Sequence, residues 1–439
     1  MLLALALLAT PARYGGQLSV LAPASALDGS RIEPGSAHSP LELALARMLC
    51  EPLYRVAANG ELAPDLAALP RSEGPRLLSM RLRAGTGATE VVASLGKLAA
   101  AESPYRALLL PLSAALSPRG EGELTASFAF PYPDWSLGLA QVGACPSKRS
   151  GPFTVLGKFA PPQLHLTANL DCAAGRPFAD TLVLRSASPR SAARALASGE
   201  GDLALLPLPE PAQELNGPLS VATYLAVNPR KPQLAPVATA LAARLDRAEL
   251  VRIFVRGPAQ PLYGLLAPSV EPHPMAAPPR VEFARSGHLS GELLVDASGD
   301  VRAVAERLQV KLHDLGIDLR VVALPRAELS KRIGAGDYDA ALVAIPALPE
   351  PGLNLAQVLL LAEPEAQVKT ELAAIGALPD RAARRERASA RARELLGQIP
   401  VVPLYAQGLA VSVRPGVHGL SFDGAGLPDL GAVWTEGAR

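Results

Sequence analysis

The sequence predicts an α/β protein with two α/β halves, because strand and helix patterns alternate in two separate parts of the chain. In the first part, apolar runs at 181–184 and 203–207 flank a helical pattern from Pro189 to Ser198. The second part has strand patterns at 293–295, 319–324 and 338–345 and helical patterns at 301–315 and 327–333. Such alternation is typical of parallel strands covered by helices and joined by right-handed crossovers.

Local signals predict further elements outside these two units. The clearest is a helix that starts at Ser39-Pro40-Leu41-Glu42 and continues to about Cys50. Ser39 is expected to cap this helix, and Glu42 completes a capping box. Other strands are predicted at 17–22, 76–83, 123–130, 401–405 and 409–413, a hairpin or bent pair at 153–160 and 164–168, and helices at 89–101 and 381–396.

Length and composition limit the class of protein. A chain of 439 residues has room for two or three domains. Its 49% hydrophobic content and net charge of +1 are not those of a disordered chain. The near-neutral charge gives no electrostatic reason to expect nucleic acid as a partner. Aromatic residues make up 4%, which argues against ligands that are held by stacking.

The chain begins with an apolar run from Met1 that ends at Thr10-Pro11-Ala12. The run is shorter than the ~20 residues of a membrane span. It fits a signal peptide over residues 1–12, with small residues near Ala12 for cleavage, and so predicts a periplasmic or secreted protein. No Lys or Arg precedes the run. A buried first strand is therefore the alternative interpretation.

Residues 257–280 contain seven of the chain's prolines: Pro258, Pro261, Pro268, Pro272, Pro274, Pro278 and Pro279. Proline cannot donate a backbone hydrogen bond and disfavours both helix interiors and central strands. We interpret the stretch as an extended surface excursion and not as a linker between domains.

Three cysteines are present, at positions 50, 145 and 172, so at least one thiol is free. Cys50 lies in an apolar helical stretch and is expected to be a plain core residue. Cys145 and Cys172 flank two predicted strands and could pair in an oxidising compartment. Two unpaired buried thiols are the equal alternative.

Motifs for catalysis are missing from the sequence. The segment Gly419-Leu-Ser421-Phe-Asp423 lacks the second glycine of a serine hydrolase elbow. No phosphate-binding P-loop occurs, and the six histidines include no pair with the spacing of a zinc protease. The sequence therefore predicts a protein that is not an enzyme and has no cofactor or bound metal.

A series of weak motifs in the right order resembles family 5 of the extracellular solute-binding proteins, which carry peptides, nickel complexes and some sugars. Two examples are Leu49-Cys-Glu51-Pro-Leu53-Tyr54 and Gly336-Asp337-Tyr338-Asp339-Ala340. The other matching segments are 59–67, 150–153, 195–203, 224–228, 245–247, 257–268, 308–317 and 399–405. The likeness extends over nearly the whole chain after residue 16.

This resemblance implies a two-lobed clamp of the type II periplasmic binding protein kind, with mixed sheets and a ligand cleft between the lobes. Lobe I would comprise residues 13–224 with a compact inserted subdomain at about 84–150. Lobe II would comprise residues 225–400, and residues 401–439 would return to lobe I. The chain would cross between lobes near 224–228 and 400–405.

The sequence departs from the family at a place that matters for the ligand. Peptide binders of the family carry a Trp-x-x-Asp segment whose acid pairs with the peptide's ammonium group. Here Ile345 stands in place of the tryptophan and Leu348 in place of the acid. An ammonium buried against Leu348 would be left unpaired, at a cost of several kcal/mol. Either Glu350 substitutes for the acid or the ligand has no such amine.

By their positions in the family pattern, six residues are candidates for contact with the ligand: Tyr132, Trp135, Tyr224, Asn228, Ile345 and Tyr405. Trp135 could instead belong to the core, and Asn228 could only cap strand hydrogen bonds. The resemblance implies a monomeric solute-binding protein of an ABC importer, whose partners are a small molecule or short peptide and the permease subunits. The alternative is a degenerate clamp that serves as a sensory or protein-interaction module without transport.

Overall fold

The computed structural model describes residues 12–436 apart from 28–32, 58, 101–102, 146–149, 158–162, 173, 210–212, 272–274, 278–287 and 298–300. The predicted signal peptide therefore lies almost wholly outside the described residues.

The strands of the first half of the chain are β1 Gln17–Ala22, β2 Tyr54–Val56, β3 Leu62–Pro64, β4 Arg71–Gly74, β5 Leu77–Arg81, β6 Ser117–Pro118, β7 Glu123–Ser127, β8 Phe153–Val155, β9 Gln163–Ala168, β10 Thr181–Ser186, β11 Leu203–Ala204 and β12 Glu214–Asn216. Those that follow are β13 Val221–Val227, β14 Ala259–Pro261, β15 Leu289–Asp296, β16 Ile317–Leu324, β17 Ala340–Pro346, β18 Val401–Gln407, β19 Ala410–Val413, β20 Val417–His418 and β21 Trp434–Thr435.

The α-helices are α1 Pro40–Leu49, α2 Ala88–Gly96, α3 Trp135–Gly138, α4 Pro189–Ser198, α5 Ala235–Arg244, α6 Arg247–Phe254, α7 Val301–His313, α8 Arg326–Ala335, α9 Pro351–Leu359, α10 Glu365–Gly376 and α11 Arg381–Leu395. The predicted capping box of α1 is confirmed. Ser39 Oγ accepts from Glu42 N at 3.2 Å, and Glu42 Oε2 accepts from Ser39 N at 3.2 Å. These bonds satisfy backbone donors that would otherwise be free at the start of the helix.

A seven-stranded sheet has the order β12-β19-β11-β1-β10-β9-β8. Strand β1 pairs in parallel with β10 on one side and β11 on the other. The predicted strand-helix-strand unit is thus confirmed as β10-α4-β11, with β1 between its two strands. The predicted hairpin is confirmed as the antiparallel pair β8 and β9. Helix α1 covers this sheet, and its residues Ala44, Leu45, Met48 and Leu49 belong to the core of the same half.

A six-stranded sheet has the order β14-β18-β13-β17-β15-β16. Strand β15 runs parallel to both β16 and β17, which confirms the second predicted unit, β15-α7-β16-α8-β17. Strand β13 pairs antiparallel with β17 and β18. Its seven residues are all buried, as expected for a central strand covered on both faces.

A four-stranded sheet, β4-β5-β7-β6, forms a third unit. Its apolar face shares the largest core of the molecule with helices α9, α10 and α11. Residues far apart in the chain meet in this core, including Leu124 of β7 and Leu353 of α9.

The chain passes between the two large sheets twice, at 217–220 and at 408–409. These passages lie side by side, because Gly217 N donates to Leu409 O at 2.9 Å. A Cβ on Gly408 would lie 2.5 Å from Gly217 O, so the close approach requires glycine there. Crossings were expected near 224–228 and 400–405. These segments lie within or beside β13 and β18 of the six-stranded sheet, a few residues from the observed passages.

Two expectations need correction. The proline-rich stretch is not a surface excursion throughout, because five of its residues lie in the largest core: Leu262, Leu265, Leu266, Ala267 and Val270. Its prolines at 272, 274, 278 and 279 lie outside the described residues.

The second correction concerns the cysteines. Cys50 forms a disulfide with Cys145, and their Cα atoms are 5.0 Å apart. The segment at 143–145 runs beside 50–52, since Ala144 N donates to Glu51 O at 2.8 Å. Cys172 is a buried free thiol that donates to Glu51 Oε1 at 3.0 Å. Cys50 is therefore a covalent link and not a plain core residue, and Cys145 does not pair with Cys172.

Candidate functional site

Two adjoining cavities open between the halves of the molecule. The larger has a volume of about 430 Å³ and lies between α8 and β17 on one side and residues 103–106 and 357–364 on the other. The smaller, of about 250 Å³, lies between the start of α1, the end of β11 and strands β17 and β18. Both are lined by His38, Ser330, Ile333, Val343 and Ala344. A ligand could therefore extend through both cavities past these shared residues.

A group of charged side chains joins the two large sheets beside this junction. Glu42, at the start of α1, accepts from Arg326 Nη1 at 2.7 Å on its Oε2 atom. Arg326, at the start of α8, also donates from Nε to Asp296 Oδ2 at 2.9 Å and from Nη1 to Ser36 O at 3.3 Å. We call His38, Glu42, Asp296 and Arg326 the cleft cluster. Its ion pair connects a helix of the seven-stranded half to a helix of the six-stranded half.

The charges of the cleft cluster are mutually compensated. The side chains of Glu42 and Arg326 are 6% and 16% exposed. Burial works against the charge of Arg326, but Glu42 and Asp296 raise its pKa above the ordinary value. Arg326 therefore keeps its positive charge, and its ion pair with Glu42 contributes to holding the halves in contact.

His38 lies at the centre of this arrangement. Its Nδ1 atom is 3.1 Å from the carbonyl oxygen of Ala344 on β17. Its Nε2 atom is buried and has no hydrogen-bond partner among the described residues. Burial lowers the pKa of His38, and the neighbouring Arg326 lowers it further. The imidazole is therefore neutral at pH 7.

Three of the six predicted ligand residues lie at the cavities. Asn228 and Ile345 line the larger cavity, and Tyr405 lines the smaller one. Asn228 Nδ2 donates to Gly336 O at 2.9 Å and to Tyr338 O at 2.7 Å, so its amide also holds the turn before β17.

The other three predicted residues lie in the interior and line neither of these two cavities. Tyr132 Oη donates to Glu350 Oε2 at 2.6 Å, and Trp135 Nε1 donates to Leu108 O at 2.6 Å. Tyr224 Oη donates to Leu265 O at 2.8 Å. Their polar atoms are thus already bonded within the protein, and each ring is at most 2% exposed.

Glu350 belongs to a second polar group, which we call the core cluster: Tyr132, Asp134, Glu350 and Arg384. Glu350 caps helix α9, since its carboxylate accepts from Gly352 N at 3.0 Å and Leu353 N at 2.7 Å. Burial raises the pKa of this carboxyl group. Arg384 forms a two-pronged pair with Asp134 at 2.6 and 3.1 Å.

The core cluster shows whether Glu350 is free to substitute for the acid that Leu348 replaces. Both carboxylate oxygens of Glu350 are taken by the helix cap and by Tyr132, and Leu348 is fully buried in the largest core. Neither residue lines the two cavities. Neither residue therefore offers a free carboxylate to these cavities.

The sequence pattern missed the cleft cluster. Glu42 was found only as the helix cap, and nothing local pointed to Arg326, which is 284 positions later. His38 precedes the cap and was read as one of six scattered histidines. The only available signal was a capping-box carboxylate beside a histidine at a helix start.

In the described part of the chain, no His, Cys, Asp and Glu side chains gather into a group that could hold a metal ion. Nor does any helix there have the length and apolar character needed to cross a membrane.

Two α/β halves joined by a double crossing, with cavities between them, define a two-lobed ligand-binding clamp. The model of the bacterial extracellular solute-binding proteins, family 5 middle region, matches residues 102–360. This span is more than half of the chain, and the chain belongs to this family. No significant match is found among curated proteins.

Solved structures share the fold at low sequence identity. DppA from Helicobacter pylori, an ABC transporter-associated periplasmic binding protein in complex with the peptide STSA, is 16% identical, with a TM-score of 0.75 over 97% of this chain and 99% of that one. AgaA from A. tumefaciens R10 with agropinic acid is 16% identical, with a TM-score of 0.73 over 97% and 99%. NikA from Staphylococcus aureus with Ni(L-His)2 is 13% identical, with a TM-score of 0.70 over 96% and 100%.

Proposed function

We propose that this protein is the solute-binding protein of an ABC importer and captures a small molecule or short peptide in the cleft between its lobes. The observation that carries the proposal is the pair of adjoining cavities lined from both halves of a family member. A ligand that touches both lobes only when they are closed favours closure, and the closed form is what a permease would recognise.

The proposed setting is extracytoplasmic, periplasmic or secreted, with the protein acting as a monomer beside membrane permease subunits. The Cys50–Cys145 disulfide supports an oxidising compartment. The apolar run at the start of the chain supports export.

We further propose that the lobes follow the two large sheets, with changeovers at 217–220 and 408–409. Lobe I would then hold the seven-stranded sheet and the inserted four-stranded unit, and lobe II the six-stranded sheet. The paired passages at Gly217 and Gly408 would form the hinge, since short connecting segments that contain small residues can absorb a change in backbone angle.

Within the cleft, we propose that Asn228, Ile345 and Tyr405 contact the ligand. Tyr132, Trp135 and Tyr224 would support the cleft wall from behind, since their polar atoms are bonded within the protein. The absence of an acid at Leu348 supports a ligand whose bound end carries no free ammonium group.

The test is a thermal-shift screen with short peptides, opines such as agropinic acid, nickel–histidine complexes and oligosaccharides. A ligand at 100 times its Kd stabilises the folded state by about 2.7 kcal/mol and raises the melting temperature. Ser330→Phe should abolish the response, because Ser330 lines both cavities and a large ring there would fill their junction.

Lys331→Phe is the matched control, since this next residue of α8 is exposed. It should respond as the wild type does. An unchanged response of Ser330→Phe would contradict ligand binding in this cleft, and a screen without any response would contradict the receptor role.

One observation favours a second function, a degenerate clamp that acts as a sensory or protein-interaction module. The position of the ammonium-pairing acid is filled by a fully buried Leu348, as if that part of the cleft had closed. Capture of a defined protein partner by a chain that responds to no small molecule would favour this function over transport.

A further inference from the structure

We propose that the Nε2 atom of His38 is the hydrogen-bond acceptor for an uncharged N–H or O–H group of the ligand, at the junction of the two cavities. This inference rests on the proposed function, because it assigns a recognition role within the same cleft. It predicts a ligand that passes through the junction with a secondary amide or a hydroxyl group opposite His38.

The tautomer of His38 follows from its partner. The carbonyl oxygen of Ala344 can only accept a hydrogen bond, and it lies 3.1 Å from Nδ1. In a neutral ring the single proton must therefore be on Nδ1, which donates to Ala344. Nε2 then carries a lone pair and no proton, so it can only accept.

This lone pair belongs to a small group of buried side-chain atoms that have no partner among the described residues. Nε2 is buried away from solvent and has no partner, whereas nearly all buried polar atoms in folded proteins have one. His38 lines both cavities through other atoms of its side chain, so the free acceptor lies in the wall at their junction, where a side-chain movement on ligand binding would expose it. A ligand donor would supply the missing partner.

The surrounding charges select an uncharged donor. A ligand ammonium group would lose its hydration at the buried Nε2 atom, and Glu42 and Asp296 are already paired with Arg326. The charge of Arg326 is compensated in the same way, so it offers little attraction to an anion. A carboxylate or a phosphate dianion also has no proton to donate to Nε2. A neutral amide N–H and a neutral hydroxyl are the two sources that fit.

The probes are N-acetyl-tetra-alanine amide, which offers only uncharged amides, and maltotetraose, which offers only hydroxyls. A peptide analogue methylated at every amide nitrogen is the matched probe without donors. Titration calorimetry measures each Kd for the wild type, for His38→Phe, which removes the acceptor, and for His38→Gln, whose side-chain oxygen restores one.

For the probe that binds, we expect His38→Phe to weaken affinity about 5- to 30-fold, the effect of one lost hydrogen bond to a buried partner. His38→Gln should recover most of the loss. The methylated peptide should bind the wild type no better than it binds His38→Phe. Equal affinities of the wild type and His38→Phe for the unmethylated probe would overturn the inference and leave the proposed function intact.

Nitrogen NMR of the 15N-histidine-labelled full chain gives a second readout that does not depend on a probe. His38→Phe identifies the His38 signals by their disappearance. An unprotonated Nε2 in the free protein at pH 7 supports the inference, and a protonated Nε2 overturns it. If no probe binds the wild type, the receptor role fails for these ligand classes and the inference fails with it, whereas the nitrogen measurement then reports only the tautomer of His38.

Discussion

The core cluster and the cleft cluster contain nearly the same chemical groups in different settings. Each combines two carboxylates, one arginine and one ring that can form hydrogen bonds. In the core cluster, Arg384 and Asp134 pair on two atoms and Tyr132 donates to Glu350. In the cleft cluster, Arg326 bridges Glu42 and Asp296, and His38 keeps one nitrogen without a partner.

The two clusters differ in the parts of the molecule that they connect and in how many of their polar atoms have hydrogen-bond partners. The core cluster lies within a single apolar core, and its four side chains bond to each other and to backbone groups. The cleft cluster connects the two large sheets and borders both cavities. A fully bonded polar group of this kind stabilises one structure, whereas an incompletely bonded one beside a cavity can respond to a ligand.

The largest effect is expected from Arg384→Ala in the core cluster. It leaves the carboxylate of Asp134 buried without its cation, which should lower the free energy of unfolding by about 3–5 kcal/mol. Urea denaturation measures the change. The control is Arg393→Ala, whose ion pair with Glu386 is exposed and should contribute less than about 1 kcal/mol. If both variants lost the same free energy of unfolding, the buried ion pair would contribute no more to stability than the exposed one.

Arg326→Ala tests the cleft cluster. It removes charged hydrogen bonds between the halves, which are each expected to contribute about 1.5–3 kcal/mol to the closed arrangement. The halves should separate, and small-angle X-ray scattering should give a larger radius of gyration than for the wild type.

The control for this variant is Arg302→Ala, whose pair with Glu306 lies on one exposed helix face. It should leave the radius of gyration unchanged. If Arg326→Ala lowers stability but does not change the radius, its ion pair acts as the core cluster does, and the comparison is wrong.

Tyr132→Phe should have a smaller effect. It deletes the hydroxyl that donates to Glu350 at 2.6 Å and should lower the free energy of unfolding by about 1–2 kcal/mol. Tyr14→Phe is the matched control, because Tyr14 is 60% exposed. Ligand affinity should not change in either variant. A loss of affinity in Tyr132→Phe with full stability would place Tyr132 in the binding surface after all.

The smallest effect is a pH dependence that arises from His38. Its pKa is lowered in the folded state by burial and by Arg326, although Glu42 and Asp296 partly oppose this. The unfolded chain, with an ordinary pKa of about 6.5, therefore binds more protons below that pH. The contribution to stability is complete above about pH 6.5 and is lost as the pH falls towards the folded-state value.

The wild type should therefore lose stability relative to His38→Gln as the pH falls below about 6.5, by at most about 1.4 kcal/mol per pH unit. Urea denaturation at several pH values measures this difference. The same substitution at the exposed His165 controls for general effects of losing a histidine. If the wild type instead lost stability relative to His38→Gln as the pH rises, His38 would be protonated in the folded protein.

Local rules of the chain were enough to predict most of the elements. Helix α4 has the predicted limits, and in the structure Ser188 caps its start while Gly199 adopts a left-handed conformation at its end. The two strand-helix-strand units and the capping box of α1 follow from periodicity and from hydrogen bonds within a few residues. The order of family motifs then predicted the two-lobed architecture.

The tertiary structure alone decided which polar groups are buried and hydrogen-bonded within the protein and which lie at the cavities. The pairing of Cys50 with Cys145, of Tyr132 with Glu350 and of Glu42 with Arg326 joins residues 95 to 284 positions apart. Such pairs depend on how sheets and helices pack, and the type of a side chain does not indicate which distant residue it will contact. The sequence by itself determined the elements, because these depend on short-range hydrogen bonding and apolar patterning, and its resemblance to the family implied the clamp. The composition of the cleft depends on long-range packing.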